Sequence, residues 1–548
     1  MSTPSGHVSD KISSEVEAGH CHKDRPESKG NVSTGDIAEG IAVDERTLFE
    51  RKAALVNSEI DKFGFGKYQL CLWILCGLGY FTDLAWAQGV GLMATAVFQE
   101  MGVPADKQGL IFTCSNAGLA IGAFGVGILT DIIGRKWAFQ LTCLITSVFG
   151  MLLAASKYNY QAVCGIYFLS CIGLGGNIPI DATIALEFLP QNRRYLVSLL
   201  GMWQPIGVVV ASAIAYGTAA KYRCDVRLPA CNNVAAEEEC CTVSSNMGWR
   251  YMVIVIGAMT LTLFFARYAV FRFHESPKFL VSKGREQDAI DVLHKIARFN
   301  GAEAPNLTVE DFQQIEIEAG VTTDNQKSKN TSAKGVVVNT LKSLGFLRGL
   351  FRSKQQCFSF VLLALAYMGN YWSFNLAGYF LPIVLLNNNV DSGSNNVSDT
   401  YREYVYIYLP GVIGAVLALV SVQMPLLGRK WSLVISAAFQ GLAMAMYTKV
   451  ENSAGYVGLN AFEYIMQSYF NAVLYSASPE MFDTTYRASA SGMLSSLGRI
   501  AGIVAPFAGQ KYIAQGRAGV LWLGAGGIWV SSFLLCFLPI EMRNKQMY

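Results

Sequence analysis

The chain has 548 residues, 52% of them hydrophobic and only 15% charged, against roughly 25% charged in an ordinary soluble domain. Its apolar runs are too long and uninterrupted for a set of soluble cores. A net charge of +3 with no basic stripe argues against a nucleic-acid partner. Five dispersed His residues, with no hydrolase triad, metal cluster or nucleotide-hydrolysis motif, argue against an enzyme, a cofactor or a metal centre.

Residues 1–62 are polar and rich in Ser, Glu, Lys and Gly, which predicts a disordered cytosolic tail. No apolar stretch follows a basic start, so the first span itself directs insertion. Asn31-Val32-Ser33 has the form of a glycosylation acceptor, but on a cytosolic tail it never meets the modifying machinery. Apolar runs follow at about 68–98, 108–130, 137–156, 160–183, 195–219, 250–271, 357–387, 404–424, 431–448, 456–478, 488–510 and 518–540. Each reaches the roughly 20 residues that a helix needs to cross about 30 Å of hydrocarbon, the ninth only just. The alternating strands of a membrane barrel are absent. These runs predict an all-α membrane protein of about twelve transmembrane helices in two six-helix bundles, 63–271 and 357–540. Residues 541–548 form a short cytosolic tail. Arg135, Lys136, Arg193, Arg194, Arg429, Lys430 and Arg487 all fall on the side of the N-terminal tail, which the positive-inside rule makes cytosolic.

Between the bundles, residues 272–356 form a polar cytosolic linker. From Glu286 to Arg298, apolar Ala289, Ile290, Leu293, Ile296 and Ala297 recur at helical spacing and predict a short amphipathic helix. The stretch 302–340 reads as flexible. On the opposite face, Cys224, Cys231, Cys240 and Cys241 share the loop before the sixth span. On an oxidising side they are disulfide candidates with three possible pairings; facing a reducing lumen they are free thiols. Asn396 of Asn396-Val397-Ser398 is a glycosylation candidate on that same side.

GILTDIIGRK, Gly127 to Lys136, has a degraded echo in MPLLGRK, Met424 to Lys430. EFLPQNRR places Glu187 seven positions before Arg194, and EMFDTTYR places Glu480 seven before Arg487. Gly134 and Gly428 are 294 positions apart, and Glu187 and Glu480 are 293 apart. One register therefore relates two pseudo-symmetric halves, the sequence mark of a secondary transporter built from repeats. Asp131 stands near helix termini, where a carboxylate accepts hydrogen bonds from free backbone N–H groups. Arg135 with Glu187, and Arg429 with Glu480, are placed to pair across adjoining cytosolic loops. Pro425 and Asp483 depart from the first-half pattern at the positions of Asp131 and Pro190.

These loops, with HESPKFL after the sixth span and GLGGNIPIDATIALEFLP in the fourth, make the chain resemble the major facilitator superfamily. The likeness is to its sugar-porter branch and to relatives akin to synaptic vesicle proteins and bacterial niacin permeases, fungal members above all. It covers nearly everything from Gly64 to Glu541. The resemblance implies alternating access, with Asp131, Arg135, Glu187, Arg194, Arg429, Glu480 and Arg487 as a cytosolic gate. It also implies a central cavity lined by the first and tenth spans. Where proton-driven sugar porters carry an Arg on the fourth span, this chain has Tyr167, with Cys171 at the first glycine of the pattern. The paired Gln of hexose carriers is replaced by NYWSFNLAGYFLP.

Ionisable residues inside spans are costly and are functional candidates by default. Asp83 lies sixteen residues beyond Lys67, and Glu463 sixteen before Pro479, so both reach roughly 24 Å from the cytosolic end. Arg499 is roughly 18 Å up its span and is the only cation placed deep among them. The three are proton-coupling candidates, with Arg499 expected to pair with one of the acids. Gln204, Asn370, Trp372, Asn375 and Tyr379 are the solute-binding candidates, although any single aromatic among them is also suited to packing. The glycine clusters Gly173–Gly176 and Gly524–Gly527 follow no strand and suit close helix packing. The expected protein is a monomeric secondary carrier of a small organic solute, coupled to protons, in the plasma membrane or an endomembrane. The alternatives are an efflux carrier for drugs or secondary metabolites and a non-transporting receptor on the same fold.

Overall fold

Helices begin with α1 (Thr34–Phe63), after which the first set of spans comprises α2 (Lys67–Met101), α3 (Leu110–Ile133), α4 (Arg135–Leu152) and α5 (Tyr160–Phe188). The fifth passage, Gln191–Gly217, is broken by tight turns into α6 (Leu196–Leu199) and α7 (Trp203–Gly217), and α8 (Gly248–Phe265) completes the set. Three short helices follow: α9 (Pro277–Ser282), α10 (Glu286–Asn300) and α11 (Val309–Glu318). The second set is α12 (Lys354–Asp391), α13 (Val397–Tyr408) continued by α14 (Gly411–Gln423), α15 (Gly428–Met446), α16 (Ser453–Glu480), α17 (Arg487–Ile513) and α18 (Arg517–Leu535). The computed structural model describes residues 34–104, 107–225, 227–234, 238–270, 273–318, 354–391, 397–424, 427–447, 450, 453–482, 487–513 and 517–539.

The twelve expected passages occur in the expected order. Among the described residues, nine are long and apolar enough on their own to cross a membrane. The others fall short for visible reasons. α15 and α16 carry buried Ser436, Gln440, Glu463 and Gln467, and the apolar part of α18 is only Gly519–Leu535. Polar groups turned inward and large apolar groups turned outward, such as Phe507 and Phe533, invert the soluble pattern, as lipid contact requires.

Two expectations about the segments read as cytosolic need correction. The tail assigned as disordered up to residue 62 is helical from Thr34, and from Leu48 it packs: Ala53, Val56 and Ile60, spaced three and four apart, are buried. Lys52 holds that helix to the linker by bonding Glu286 at 3.0 Å and Glu316 at 2.5 Å. The stretch 302–340, read as flexible, contains α11, which buries Phe312. Residues 319–353, and the tails 1–33 and 540–548, lie outside the described residues.

The turn after α3 explains why the signature loop reads Gly-Arg-Lys. Gly134 has φ +103°, which strains any L side chain, and a Cβ there would also lie 2.3 Å from Glu275 Oε2. Glu275, from HESPKFL, accepts hydrogen bonds from the Arg135 and Lys136 N–H groups at 2.8 and 3.2 Å and so caps α4. Burial raises the Glu275 carboxyl above its ordinary range, while those N–H bonds pull the other way.

On the far side, Glu100 at the end of α2 accepts from Asn246, Trp249 and both terminal nitrogens of Arg250, clasping the first and sixth spans together. In the adjoining loop the four cysteines pair as Cys224–Cys241 and Cys231–Cys240. Peptide mapping without reduction is expected to recover those two links; a Cys224–Cys231 peptide would contradict this pairing.

Candidate functional site

Two chambers lie where the halves meet, each with polar groups set in a mainly apolar wall. The larger, about 180 Å³, is lined by Gln88 of α2, Gln108, Ser115 and Asn116 on α3 or its approach, Tyr167 of α5 and Asn375 of α12. Asn116 donates to Asn375 at 3.1 Å, joining the two halves at its wall. The smaller, about 30 Å³ or roughly one water, is lined by Gln204 of α7, Asn370 of α12 and Gln467, Ser468, Asn471 and Tyr475 of α16. Leu84 and Phe374 line both chambers and form the apolar partition between them. Among the described residues, no Asp, Glu, Lys or Arg lines either one.

The smaller chamber is unusual in its unmet hydrogen bonds. Gln204 Nε2, Asn370 Oδ1, Gln467 Nε2 and Ser468 Oγ are all buried without a protein partner. Such groups are expensive to leave empty, about 1–3 kcal/mol each. Asn370 Nδ2 is already committed to Asn471 Oδ1 at 2.7 Å. Of the residues selected from sequence, Gln204 and Asn370 therefore meet in one chamber and Asn375 stands in the other. Trp372 does not reach either: its indole donates to Leu523 O at 3.2 Å, and its ring covers Gly527 on α18. The Tyr379 side chain and Asn396 lie outside the described residues. Gln467, Ser468 and Asn471 were not anticipated.

On the side of the signature loops the halves are latched. Arg135 bonds Glu187 at 3.1 Å and Asp131 at 3.3 Å, all three buried or nearly so. Asp131 also accepts from Ser489 N and Oγ, at 3.0 and 2.7 Å, in the first turn of α17. Ser198 donates to Ser476 at 2.7 Å nearby. In the second half Arg429 pairs with Glu480 at 2.5 Å. Arg487 instead donates to its neighbour Pro479 O, and Arg194 Nε is buried without a partner. Lys278 of HESPKFL is buried at this junction; burial, then the nearby Arg194 and Arg487 cations, lowers its ammonium well below the ordinary range. Pro425 and Asp483 lie outside the described residues.

The intramembrane charges differ most from expectation. Asp83 accepts from Asn177 at 3.2 Å and Glu463 from Gln440 at 3.0 Å; both are buried, and neither lines the two chambers. Arg499 pairs with neither acid: its Nε meets Ser495 Oγ on its own helix, its guanidinium sits 5.4 Å from the Tyr371 ring centre, and its Nη1 is unpartnered. Nor is it the only deep cation. Arg267, in the wide turn Ala266–Val270 just past α8, is fully buried and pairs with Asp181 of α5 at 3.5 Å. Both residues are ionisable groups inside apolar runs, which was signal enough to select them.

Two helical bundles meeting around chambers that set a few polar groups in apolar walls, latched on one face by charged loops, define a secondary carrier of the alternating-access type. The chain belongs to the sugar (and other) transporter family of the major facilitator superfamily, whose sequence pattern matches residues 63–548. It is 32% identical over 511 residues, 93% of this chain and 94% of the relative, to MFS siderochrome iron transporter 1 of Ceriporiopsis subvermispora. It is also 32% identical over 509 residues, 91% and 89%, to an uncharacterized MFS-type transporter of Schizosaccharomyces pombe. The solved structure of the MFS proton:xylose symporter XylE from E. coli shares the fold, with a TM-score of 0.66 at 16% identity, covering 88% of this chain and 98% of that one. The protein is thus an integral, multi-pass membrane transporter.

Proposed function

We propose that this carrier moves a small, uncharged, hydrogen-bonding organic solute in symport with a proton. The observation that carries the proposal is the set of orphaned buried groups in the smaller chamber, two amide donors, an amide acceptor and a hydroxyl, with no charged side chain beside them. The smaller chamber as it stands has room for about one water, so a solute seated in the larger chamber supplies the missing partners once the Leu84–Phe374 partition moves; an ion would enter without a counter-charge. Size supports the same class, since a cavity of about 150 Å³ admits a single benzene ring and the larger chamber is about 180 Å³. Asp83, a buried carboxyl with one unpartnered oxygen in the first span, is the proton site, and Glu463 ranks second.

The solute panel that tests this pairs neutral ring compounds with their carboxylate and ammonium analogues, assayed as labelled uptake into vesicles. Neutral members are expected to be carried, and Gln204→Ala and Gln467→Ala each to raise KM about tenfold, the loss of one buried hydrogen bond of about 1–3 kcal/mol. Equal transport of the charged analogues would overturn the proposal.

The name of the Ceriporiopsis relative favours a second reading, a ferric siderophore as cargo. A chamber of about 180 Å³ favours the smaller solute, and uptake of radioactive iron as its siderophore complex separates the two. Drug efflux has less support, since no Met lines either chamber among the described residues. In this reading the latch from Asp131 to Ser489 is the cytosolic gate and both termini are cytosolic, in keeping with the Arg and Lys residues of the loops on that side. The carrier acts as a monomer, in the plasma membrane or an endomembrane.

A further inference from the structure

We infer that Asp181 and Arg267 form a counter-ion pair that helps set the proton affinity of Asp83; this rests on the proton-coupled reading above. The three groups form one cluster through two antiparallel helices. On α2, Gly79 and Asp83 are one turn apart; on α5, Asp181 and Asn177 are one turn apart and run the other way. Asn177 donates to Asp83 Oδ1 at 3.2 Å, and a Cβ at Gly79 would lie 1.7 Å from Asp181 Oδ2 and 2.7 Å from Arg267 Nη2. The helix is thus cut away at Gly79 so that the Asp181–Arg267 pair seats against α2, one turn below Asp83.

Arg267 is held at both terminal nitrogens, while its Nε is buried without a partner. Nη2 donates to Leu75 O at 2.9 Å and to Asp181, Nη1 to Phe139 O at 3.1 Å, and the guanidinium lies 3.6 Å from the Phe139 ring centre. It cannot swing to another acid without giving up α2 and α4. Asp181 Oδ1 and Asp83 Oδ2 are both buried and unpartnered. The other titratable groups around Asp83 and this pair are Cys76 and Tyr80 on α2, Cys143 on α4, Cys171 on α5 and Arg499 on α17, with Tyr367 of α12 facing Tyr80. The cysteines and tyrosines are neutral when protonated, so the fixed charges near Asp83 are the Asp181–Arg267 pair from its own half and Arg499 from the other. As the halves rock, Arg499 changes its distance while the pair travels with Asp83. In this state Arg499 bears on Asp83 more strongly than Arg267 does, and it is the moving charge; the pair is a positioning element that stays with Asp83 throughout the cycle.

The sign of each variant follows. Asp181→Asn leaves a bare cation beside Asp83, favours its ionised form and moves the pH midpoint of proton-driven uptake down. Arg267→Gln leaves a second carboxyl, so the two compete for protons and the midpoint moves up. Each shift is expected to be about one to three pH units. The double variant Asp181→Asn/Arg267→Gln removes both charges without leaving one buried, and is expected to stay within about half a unit of wild type. The experiment is the pH profile of labelled-solute uptake in vesicles for the wild type and the three variants, with solute exchange measured alongside to establish that each is assembled. Opposite shifts in the single variants that cancel in the double support the inference. Shifts in one direction, no shift, or a double variant displaced by a full unit overturn it and leave proton coupling intact. A wild type with no pH dependence overturns the coupled reading and this inference together.

Discussion

Asp83→Asn is expected to abolish concentrative uptake, bringing steady-state solute in vesicles down to simple equilibration, while exchange of solute across loaded vesicles stays within about twofold of wild type. Asn has the shape of a protonated Asp and keeps the Asn177 contact, so the helix interface of α2 with α5 survives. What is lost is the ability to bind and release a proton in a site from which water is excluded. The expected pattern is specific: transport persists but runs downhill only. Continued accumulation by Asp83→Asn under a pH gradient would move the coupling group to Glu463, the other buried span carboxylate selected.

Arg135→Ala is expected to reduce transport by about a hundredfold or more at near-normal surface expression, because removing one partner of a buried ion pair costs about 3–5 kcal/mol. Glu187, with no exposed side chain, and Asp131 both lose their counter-charge. The cost falls on the conformation in which these loops meet α17, so the equilibrium moves to the state open on that face and the cycle stalls there. Arg135→Lys restores only part of the activity, since an ammonium does not reproduce the fork that spans two acids. Labelling of a cysteine placed at the junction from the cytosolic side measures the opening directly. Normal transport by both Arg135→Ala and Glu187→Ala would reduce these residues to topology signals.

The spans and signature loops were legible because bilayer thickness dictates run length and because the duplicated loops keep one register. Composition alone could not show that residues 48–62 pack. Their apolar residues, Ala53, Val56 and Ile60, sit at helical spacing inside a polar stretch, and Lys52 beside them finds its partners on α10 and α11 at 234 and 264 residues' distance along the chain. The gate acids and bases were found by their spacing, but the bond from Asp131 to Ser489 joins the halves and has no local signature. Reading each span separately for charge favoured Arg499 as the deep cation and passed over Arg267, which stands near the end of its run. Its burial depends on the backbone of α2 and the ring of Phe139, neither visible from α8. Gln467 and Asn471 follow Glu463 at four-residue steps on one face of α16, a polar stripe that the sequence displays. Choosing among those positions needed the opposing Gln204 and Asn370.

The most direct measurement of the central claim uses the purified carrier in sealed proteoliposomes, with labelled neutral solute and an imposed pH gradient. The account predicts accumulation above the outside concentration that collapses when a protonophore is added, with solute entry accompanied by alkalinisation of the side from which it came. Solute that only equilibrates, at a rate indifferent to the gradient and the protonophore, would contradict it and make the carrier a uniporter whose buried charges are structural.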